Sequence, residues 1–191
     1  MDDVRQVTDL EPRRHKINVH DYHQMGEIGL LEERTELVDG EIYDMAPPSS
    51  GHAGAVNGLA RVLFTACGDR AVVSVQNPVR LDEFNEPQPD FSVLQPQADF
   101  YRSRHPGPAD VILLVEVSKT SLRFDKSVKL PLYARTGVAE VWVIDLVGQN
   151  IEGYRDPVDG AYRTERVFAA GERVALALLP EVSIPLGGLL G

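Results

Sequence analysis

The sequence predicts a mixed domain, of the α/β or α+β class, built around one twisted β-sheet. Two observations support this class. Helix-like and strand-like patterns alternate along the chain, and residues 111–117 and 141–145 are almost entirely apolar. Runs of that kind are typical of central strands that are buried on both faces. A chain of 191 residues is also long enough to bury a sizeable core unaided.

The chain begins with polar residues that lack a hydrophobic period. We therefore expect a flexible N-terminal arm over residues 1–17, followed by a single domain over residues 18–191. Within residues 19–31, apolar side chains recur every three positions and predict a short helix.

A β-hairpin is the next predicted element. An Asp-Gly pair at residues 39–40 lies between two extended segments, which is the strongest short-range hairpin pattern. A two-residue turn there makes Leu37 and Ile42 share one face of the hairpin, because side chains alternate along a strand. Glu36 and Glu41 then share the opposite face.

A helix and three extended segments are predicted in the middle of the chain. Prolines and serines at residues 47–51 break the chain, and one of the serines can cap an amphipathic helix over residues 52–67. Extended segments follow at residues 72–75, 78–81 and 90–94, and the last of them begins directly after a proline.

Two buried strands and a helix between them are predicted for the next part. The apolar strand over residues 111–117 is followed by a helix over residues 125–135, which ends where Gly137 allows a left-handed backbone. The second buried strand covers residues 141–145. Side chains alternate over residues 151–155, 162–168 and 173–178, which predicts an antiparallel meander.

The composition excludes several classes of function. With 29 Asp and Glu against 19 Lys and Arg, the net charge is −10, which argues against broad electrostatic capture of nucleic acid. An acidic cluster that binds metal is still compatible with a nucleic-acid enzyme. The single cysteine, Cys67, excludes an internal disulfide framework and a thiolate zinc site. Without a membrane-length apolar run or a signal-peptide pattern, we expect a soluble cytoplasmic protein with no membrane partner.

Two acids are placed where strands deliver side chains to a site. Glu116 ends a buried strand, where a carboxylate is costly to desolvate unless it is paired or binds metal. Asp90 opens another strand, and carboxylates on neighbouring strand ends are hard ligands suited to Mg²⁺ or Mn²⁺. Lys129 shares a helical face with Asp125 and Tyr133. If that face packs over the strand ends, the Lys129 ammonium reaches the carboxylates.

Several short motifs carry a resemblance to a known family. They are the hairpin at residues 36–43, the Pro-Pro-Ser turn at 47–49, Pro89-Asp90, Glu116-Val117-Ser118, the sequence DKSVKLPLYA at 125–134 and the sequence GVAEVW at 137–142. Together they resemble the Uma-two family of restriction endonucleases, within the PD-(D/E)xK nuclease superfamily. The resemblance covers residues 18–180 and implies a restriction-endonuclease-like core, in which a mixed sheet is flanked by helices.

The resemblance implies metal-assisted hydrolysis of DNA phosphodiester bonds. In that mechanism Asp90 and Glu116 hold one or two Mg²⁺ or Mn²⁺ ions, and Lys129 orients water or neutralises charge on the phosphate. An earlier acid supplies an additional metal ligand in many relatives, which makes Glu36 or Glu41 a candidate here. Glu36 is the first choice, because it matches the hairpin entrance of the family. Cutting both strands of a duplex needs two sites, so we also expect a homodimer.

The lysine departs from the superfamily pattern. That pattern has a lysine two residues after the acid, where this chain has Ser118. Lys129 is therefore the first candidate, Lys119 the second and Lys126 the third. Strand alternation directs Lys119 away from the face that Glu116 uses. The displaced lysine also leaves open a site that binds metal without cutting.

Three further residues are secondary candidates for the site. Ser118 shares a face with the acid of its own strand and can bond a carboxylate or a water. His52 can contact phosphate or substrate, and Glu41 can add a metal ligand. Each also has an ordinary structural interpretation: Glu36 and Glu41 as solvent-facing hairpin acids, and His52 as an exposed residue at a helix start. Tyr133 is most simply a core residue.

Two other functions fit the same residues. A catalytically inactive nuclease fold that binds a partner is favoured by the acidic balance and by the displaced lysine. A hydrolase of another phosphate ester is the third interpretation, although the chain has no P-loop type of glycine-rich phosphate cradle. The local basic cluster at residues 102–105 either clamps a nucleic-acid backbone or is a solvated loop.

Overall fold

The computed structural model describes residues 13–32, 34–169 and 171–189. Its strands form one six-stranded sheet and two separate hairpins. The strands, in chain order, are β1 (Thr35–Val38), β2 (Glu41–Asp44), β3 (Val72–Val75), β4 (Phe91–Leu94), β5 (Val111–Ser118), β6 (Glu140–Asp145), β7 (Asn150–Val158), β8 (Ala161–Val167), β9 (Arg173–Leu176) and β10 (Leu179–Pro185). In the large sheet, β3 to β8 lie side by side, and neighbours are antiparallel except for the parallel pair β5–β6. This mixed sheet, with helices on its faces, confirms the predicted fold class.

Two of the predicted helices precede most of the sheet. They are α1 (Val19–Glu27) and α2 (Ser50–Cys67). Each begins at a side-chain cap, because the side-chain oxygens of Asn18 and Ser49 accept hydrogen bonds from N–H groups of the first turn. The first helix ends earlier than predicted, just before Gly29, whose φ of 74° is left-handed. Within the described ranges, no helix is long and apolar enough to cross a membrane.

The crossover from β5 to β6 is a helix over residues 122–135, which begins three residues before the predicted start. Pro131 lies in its interior, where it has no N–H to donate to the carbonyl of Ser127 and crowds that carbonyl. Just before this proline the helix forms a wider, π-helical turn, in which the N–H of Leu130 donates to the carbonyl of Asp125. Its successive segments are α-helical Leu122–Phe124, π-helical Asp125–Lys129 and α-helical Leu130–Arg135.

Separate apolar layers cover the two faces of the sheet. On one face, α2 and the β9–β10 hairpin pack against Val117 and Trp142. On the other face, the 122–135 helix packs against Leu114 and Val141. Because both faces are covered, β5 and β6 are buried along their whole length, as their apolar sequences predict.

The β1–β2 hairpin has the predicted register. Leu37 pairs with Ile42 across the hairpin, and both belong to the apolar cluster that contains Val19 and Tyr22 of α1. Asp39 (φ 54°) and Gly40 (φ 73°) both have the left-handed backbone of a tight two-residue hairpin turn. This pairing leaves Glu36 on the opposite face of the hairpin.

Only the end of the predicted arm is described. Residues 1–12 lie outside the described residues. Ile17 donates its N–H to the carbonyl of Gly40 at 3.0 Å. Its half-buried side chain packs against the cluster of Val19, Tyr22 and Leu37. The division into an arm over residues 1–17 and a domain over residues 18–191 stays a prediction.

The prediction of one antiparallel meander over residues 151–178 is wrong. Strand β8 pairs with β7, but β9 turns away and pairs with β10 in a separate sheet. Alternation predicts that a segment is a strand, and it carries no information about the partner strand. Residues 78–81 also stay outside the sheet, because Val79 and Leu81 donate their N–H groups to the turn before β4.

Glu140 joins the β9–β10 hairpin to the large sheet. Its fully buried carboxylate accepts hydrogen bonds from the indole of Trp142 at 2.7 Å, from Arg155 at 2.6 Å and from the N–H of Ala177 at 2.7 Å. Arg155 also donates to the carbonyl of Ala175 at 2.6 Å. Donors from three segments therefore depend on one carboxylate.

Glu140→Ala tests this junction, because it leaves a buried indole N–H, a backbone N–H and a partly buried guanidinium without their acceptor. We expect the free energy of unfolding to fall by about 3–5 kcal/mol. Urea denaturation followed by Trp142 fluorescence measures it. Glu181→Ala, an exposed site on β10, is the matched control, with an expected change within about 0.5 kcal/mol. Equal stability of the two variants would contradict the proposed anchoring.

Candidate active site

Strands β4 and β5 bring two acids together in a cavity of about 500 Å³. Phe91 pairs with Val115 in the antiparallel ladder, so the adjoining positions Asp90 and Glu116 lie opposite each other. Both acids line the cavity, which lies between the first hairpin, the start of α2 and the 122–135 helix. The other predicted candidates that line it are Glu36, His52, Lys119 and Lys129.

Lys129 is the centre of a buried ion-pair cluster. Its Nζ lies 2.8 Å from Glu36 Oε2 and 3.3 Å from Glu116 Oε1, and these side chains are only 3–5% exposed. Tyr133, one helical turn later, donates its hydroxyl to the same Glu116 oxygen at 2.5 Å. The helical face predicted to carry Lys129 and Tyr133 therefore packs over the strand ends.

Burial and the neighbouring charges together determine the electrostatics of this cluster. It raises the pKa of Glu116 well above its usual value, and the neighbouring carboxylates add to this rise against the Lys129 ammonium. Burial alone would lower the pKa of Lys129, but Glu116 and Glu36 outweigh it and raise that pKa. Burial and the Glu116 carboxylate also raise the pKa of Tyr133. The lysine therefore stays charged, and the tyrosine stays a hydrogen-bond donor.

Asp90 is held from three sides. Gln76 Nε2 donates to its Oδ1 at 3.0 Å, the N–H of Val117 donates to its Oδ2 at 2.8 Å, and His52 Nε2 lies 3.2 Å from Oδ2. Burial would raise the pKa of Asp90, but the hydrogen bonds from His52, Gln76 and Val117 lower it overall. The bond to Asp90 raises the pKa of His52 in turn. Asp90 is therefore kept ionised and fixed in direction.

The two hairpin acids have different environments. Glu36 is buried, and besides Lys129 it accepts a hydrogen bond from the N–H of Gln88 at 3.2 Å. Glu41 is exposed outside the cavity and pairs with Arg14 at 2.9 Å. The solvent-facing interpretation is therefore correct for Glu41 and wrong for Glu36, whose strand is covered on both faces.

Ser118 contacts the helix rather than the acid of its own strand. The hydroxyls of Ser118 and Ser121 both donate to Asp125 Oδ2, at 2.7 and 2.6 Å. The Asp125 carboxylate therefore contacts hydroxyls within the helix, which begins three residues earlier at Leu122. Asp125 lies on the same helical face as Lys129 and adds a further negative charge beside the Lys129 ammonium, besides those of Glu36 and Glu116.

The other basic candidates lie at the margin of the cavity or outside it. Lys119 is exposed at the rim, with its Nζ 3.5 Å from the Ser49 hydroxyl. Lys126 pairs with Glu152 at 2.7 Å and does not line the cavity. The basic cluster at residues 102–105 also does not line it. Of the three candidate lysines, only Lys129 contacts the strand-end acids.

Asp90 and Glu116 form a donor pair that fits a hard divalent cation. Magnesium is usually bound by one or two carboxylates, with waters completing the octahedron. Here two carboxylates at facing positions line a cavity with room for waters. Within the described ranges, no three His, Cys, Asp or Glu ligand atoms of this cavity lie within 4.8 Å of one another. Glu36, engaged by Lys129, stays a predicted third ligand.

Two residues of the site, Gln76 and Gln88, were not predicted from the sequence, and Tyr133 was predicted only as a core residue. Tyr133 is buried as predicted, but its hydroxyl contacts Glu116; its position four residues after Lys129 could have indicated this. Gln76 and Gln88 fix Asp90 and Glu36 from the irregular chain between β3 and β4. No periodicity predicts where the side chains of such a segment lie.

Comparisons with known proteins agree with this fold. A solved structure from Anabaena variabilis, described as a putative nuclease belonging to DUF820, is similar with a TM-score of 0.64 and 17% identity, over 87% of this chain and 96% of that chain. At this identity the similarity shows the fold. Among curated proteins, none matches. The family model described as "Putative restriction endonuclease" matches residues 19–187. This match covers most of the sequence and confirms the resemblance of its motifs, so the chain belongs to the Uma2 family.

Proposed function

We propose that this protein is a Mg²⁺- or Mn²⁺-dependent endonuclease of the PD-(D/E)xK type, which hydrolyses DNA phosphodiester bonds. The observation that carries the proposal is the meeting of Asp90 and Glu116 in one cavity beside the buried Lys129 ammonium. Membership of the Uma2 family supports the same class of activity.

Asp90 and Glu116 are the residues that would hold the metal. A divalent ion bound there would act as a Lewis acid and activate a water. Asp90 suits this role because its hydrogen bonds keep it ionised and fixed. Tyr133 and Lys129 both contact Oε1 of Glu116, and in the described part of the chain no protein group donates to its Oε2. That second oxygen is thus available to a ligand.

Lys129 would stabilise the charge that develops on the phosphate. An ammonium has three N–H donors, and Lys129 forms ion pairs with two carboxylates, those of Glu36 and Glu116. A further N–H would be available to a phosphate oxygen or to the attacking water. Because the site is buried, a fixed positive charge is worth more there than it would be in bulk water.

Phosphate capture would come from the rim of the cavity. Arg34 and Lys119 both line it, and Lys119 is exposed. The net charge of −10 opposes a long-range attraction of DNA, so binding would depend on these local contacts and weaken steeply with salt. We further propose that the protein acts in the cytoplasm as a homodimer, since cutting both strands of a duplex needs two sites.

The same geometry also supports a second function, a nuclease fold that binds a partner without cutting. The ion pairs of Lys129 with Glu36 and Glu116 balance part of the site without a metal. The two functions differ in what they require of Asp90, because a purely structural cluster does not need a divalent ion there.

Asp90→Asn should remove metal binding and lower plasmid cleavage by about 100-fold or more, because an amide is a poor ligand for Mg²⁺. Calorimetric titration with Mg²⁺ and Mn²⁺ at low salt, with and without a short duplex, measures binding. Gel analysis of supercoiled plasmid measures cleavage. Asp69→Asn, an exposed site beyond α2, is the control and should leave both unchanged. Wild-type protein without metal affinity or cleavage, even with duplex present, would favour the non-cutting function.

Lys129→Met should abolish cleavage and lower the free energy of unfolding by about 3–5 kcal/mol, because Glu36 and Glu116 lose their counter-charge. Adding Glu36→Gln should recover part of the stability, since one unpaired carboxylate is then neutral. Cleavage should stay absent in this double variant.

Lys126→Ala is the matched control for that experiment, since it removes a lysine of the same helix that pairs with Glu152 outside the cavity. Its cleavage should stay within about twofold of wild type, and its stability within about 1 kcal/mol. If the double variant regained cleavage together with stability, Lys129 would have a structural role only.

The homodimer is tested by sedimentation equilibrium, which should give twice the 21.1 kDa mass of one chain. Mixing wild type with an excess of Asp90→Asn should convert linear plasmid product into nicked product, because most dimers then hold one competent site. Linear product from a protein that sediments as a monomer, even with DNA present, would make the dimer prediction wrong.

A further inference from the structure

Two histidines and a buried glutamate meet where α1, the turn before β4 and the loop before β5 come together. His23 Nε2 lies 2.6 Å from Glu86 Oε1, and the rings of His23 and His105 are 6.2 Å apart between centroids. One ligand atom from each residue lies within 4.8 Å of the other two. In the described ranges, this is the one trio of His, Cys, Asp or Glu side chains with that geometry.

Glu86 has an unsatisfied oxygen in this cluster. The residue is 2% exposed, and while its Oε1 contacts His23, its Oε2 is buried without a hydrogen-bond partner among the described residues. A buried carboxylate oxygen that no donor contacts is unfavourable, and such groups in folded proteins call for an explanation such as a bound ion. A cation bound between Glu86 and the two imidazoles would provide the missing partner.

The backbone holds the three residues in place. The N–H that opens α1 donates to the carbonyl of Glu83 at 2.8 Å, which ties the helix of His23 to the turn before β4. Glu86 exchanges two backbone hydrogen bonds with Leu37, at 2.8 and 3.3 Å. The carbonyl of the residue after His105 accepts from the N–H of Arg80 at 2.9 Å. Backbone hydrogen bonds to other segments therefore fix the chain on which each of the three residues lies.

We propose that His23, Glu86 and His105 form a zinc site. Two imidazole nitrogens and one carboxylate are a common Zn²⁺ donor set, whereas Mg²⁺ prefers oxygen ligands alone. Both histidines are exposed, so the ion can enter from solvent and a water can complete the tetrahedron. Ligand atoms around tetrahedral Zn²⁺ lie roughly 3.3 Å apart at bond lengths of about 2.0 Å, a spacing that small rotations of the exposed rings can reach.

This site is separate from the candidate active site. None of its three residues lines the cavity of Asp90 and Glu116. A bound ion would cross-link α1 to the loop before β5 through the segment of Glu86. The expected role is structural, since an ion that binds the folded chain preferentially raises its stability.

Calorimetric titration of EDTA-treated full-length protein with Zn²⁺ alone tests the proposal, together with thermal unfolding at each zinc concentration. Wild type should bind Zn²⁺ and show a higher Tm. His105→Ala, His23→Ala and Glu86→Gln should each weaken zinc affinity by at least about tenfold, because each removes one ligand. The first two change exposed side chains, so they keep the test meaningful if Glu86→Gln fails to fold.

Two controls separate this site from other zinc ligands. His20→Ala removes an exposed histidine of the same helix and should leave zinc affinity unchanged. Asp90→Asn should also retain the zinc-dependent rise in Tm, which distinguishes the site from the active-site cavity whether or not the protein cuts DNA. Zinc affinity equal in wild type and His105→Ala, or no zinc-dependent rise in Tm of wild type at about 100 µM Zn²⁺, would overturn the proposal.

Discussion

The buried ammonium of Lys129 connects three parts of the chain that are distant in sequence. Removing a charge from water is costly unless opposite charges replace the solvent, and Glu36 from the first hairpin and Glu116 from the central strand provide those charges. The lysine is fully compensated only when the hairpin, the sheet and the crossover helix have all docked. The walls of the cavity are therefore coupled energetically, whereas the facing position of Asp90 is set by the pairing of β4 with β5.

The irregular helix delivers that ammonium. Pro131 removes one backbone hydrogen bond, and the wider turn before it contains both Asp125 and Lys129. Asp125, Lys129 and Tyr133 are nevertheless all buried, so the helix keeps one side toward the strand ends across the turn, while Pro131 faces solvent. Wider turns of this kind are frequent at functional sites. Here the turn places a charged residue and a hydroxyl donor over the same carboxylate.

Local pattern was enough to predict the parts of this structure that depend on neighbouring residues. The hairpin register around residues 39–40 follows from turn chemistry, and the buried strands β5 and β6 follow from continuous apolar runs. The helical period placed Lys129 and Tyr133 on one face of a helix, but the contact of Lys129 with Glu116 depended on how that face packs. The partner of β9 and the contacts of Gln76 and Gln88 could not be predicted, because they depend on how irregular segments cross after the sheet has formed. The meeting of His23, Glu86 and His105 could not be predicted for the same reason, because two of these residues lie in irregular segments.

Asp90 is the acid of the cavity whose contacts most favour a ligand-binding role over a purely structural one. The other buried acids of the cavity have partners that account for them without a ligand: Glu36 and Glu116 share Lys129, and two hydroxyls contact Asp125. Asp90 is instead fixed by an amide, a backbone N–H and a histidine, and in the described part of the chain no lysine or arginine pairs with it. Such contacts direct a carboxylate and keep it ionised, but they neutralise its charge only when the histidine is protonated. A negative group that is held in direction and has no permanent positive charge beside it is suited to binding a cation from solution.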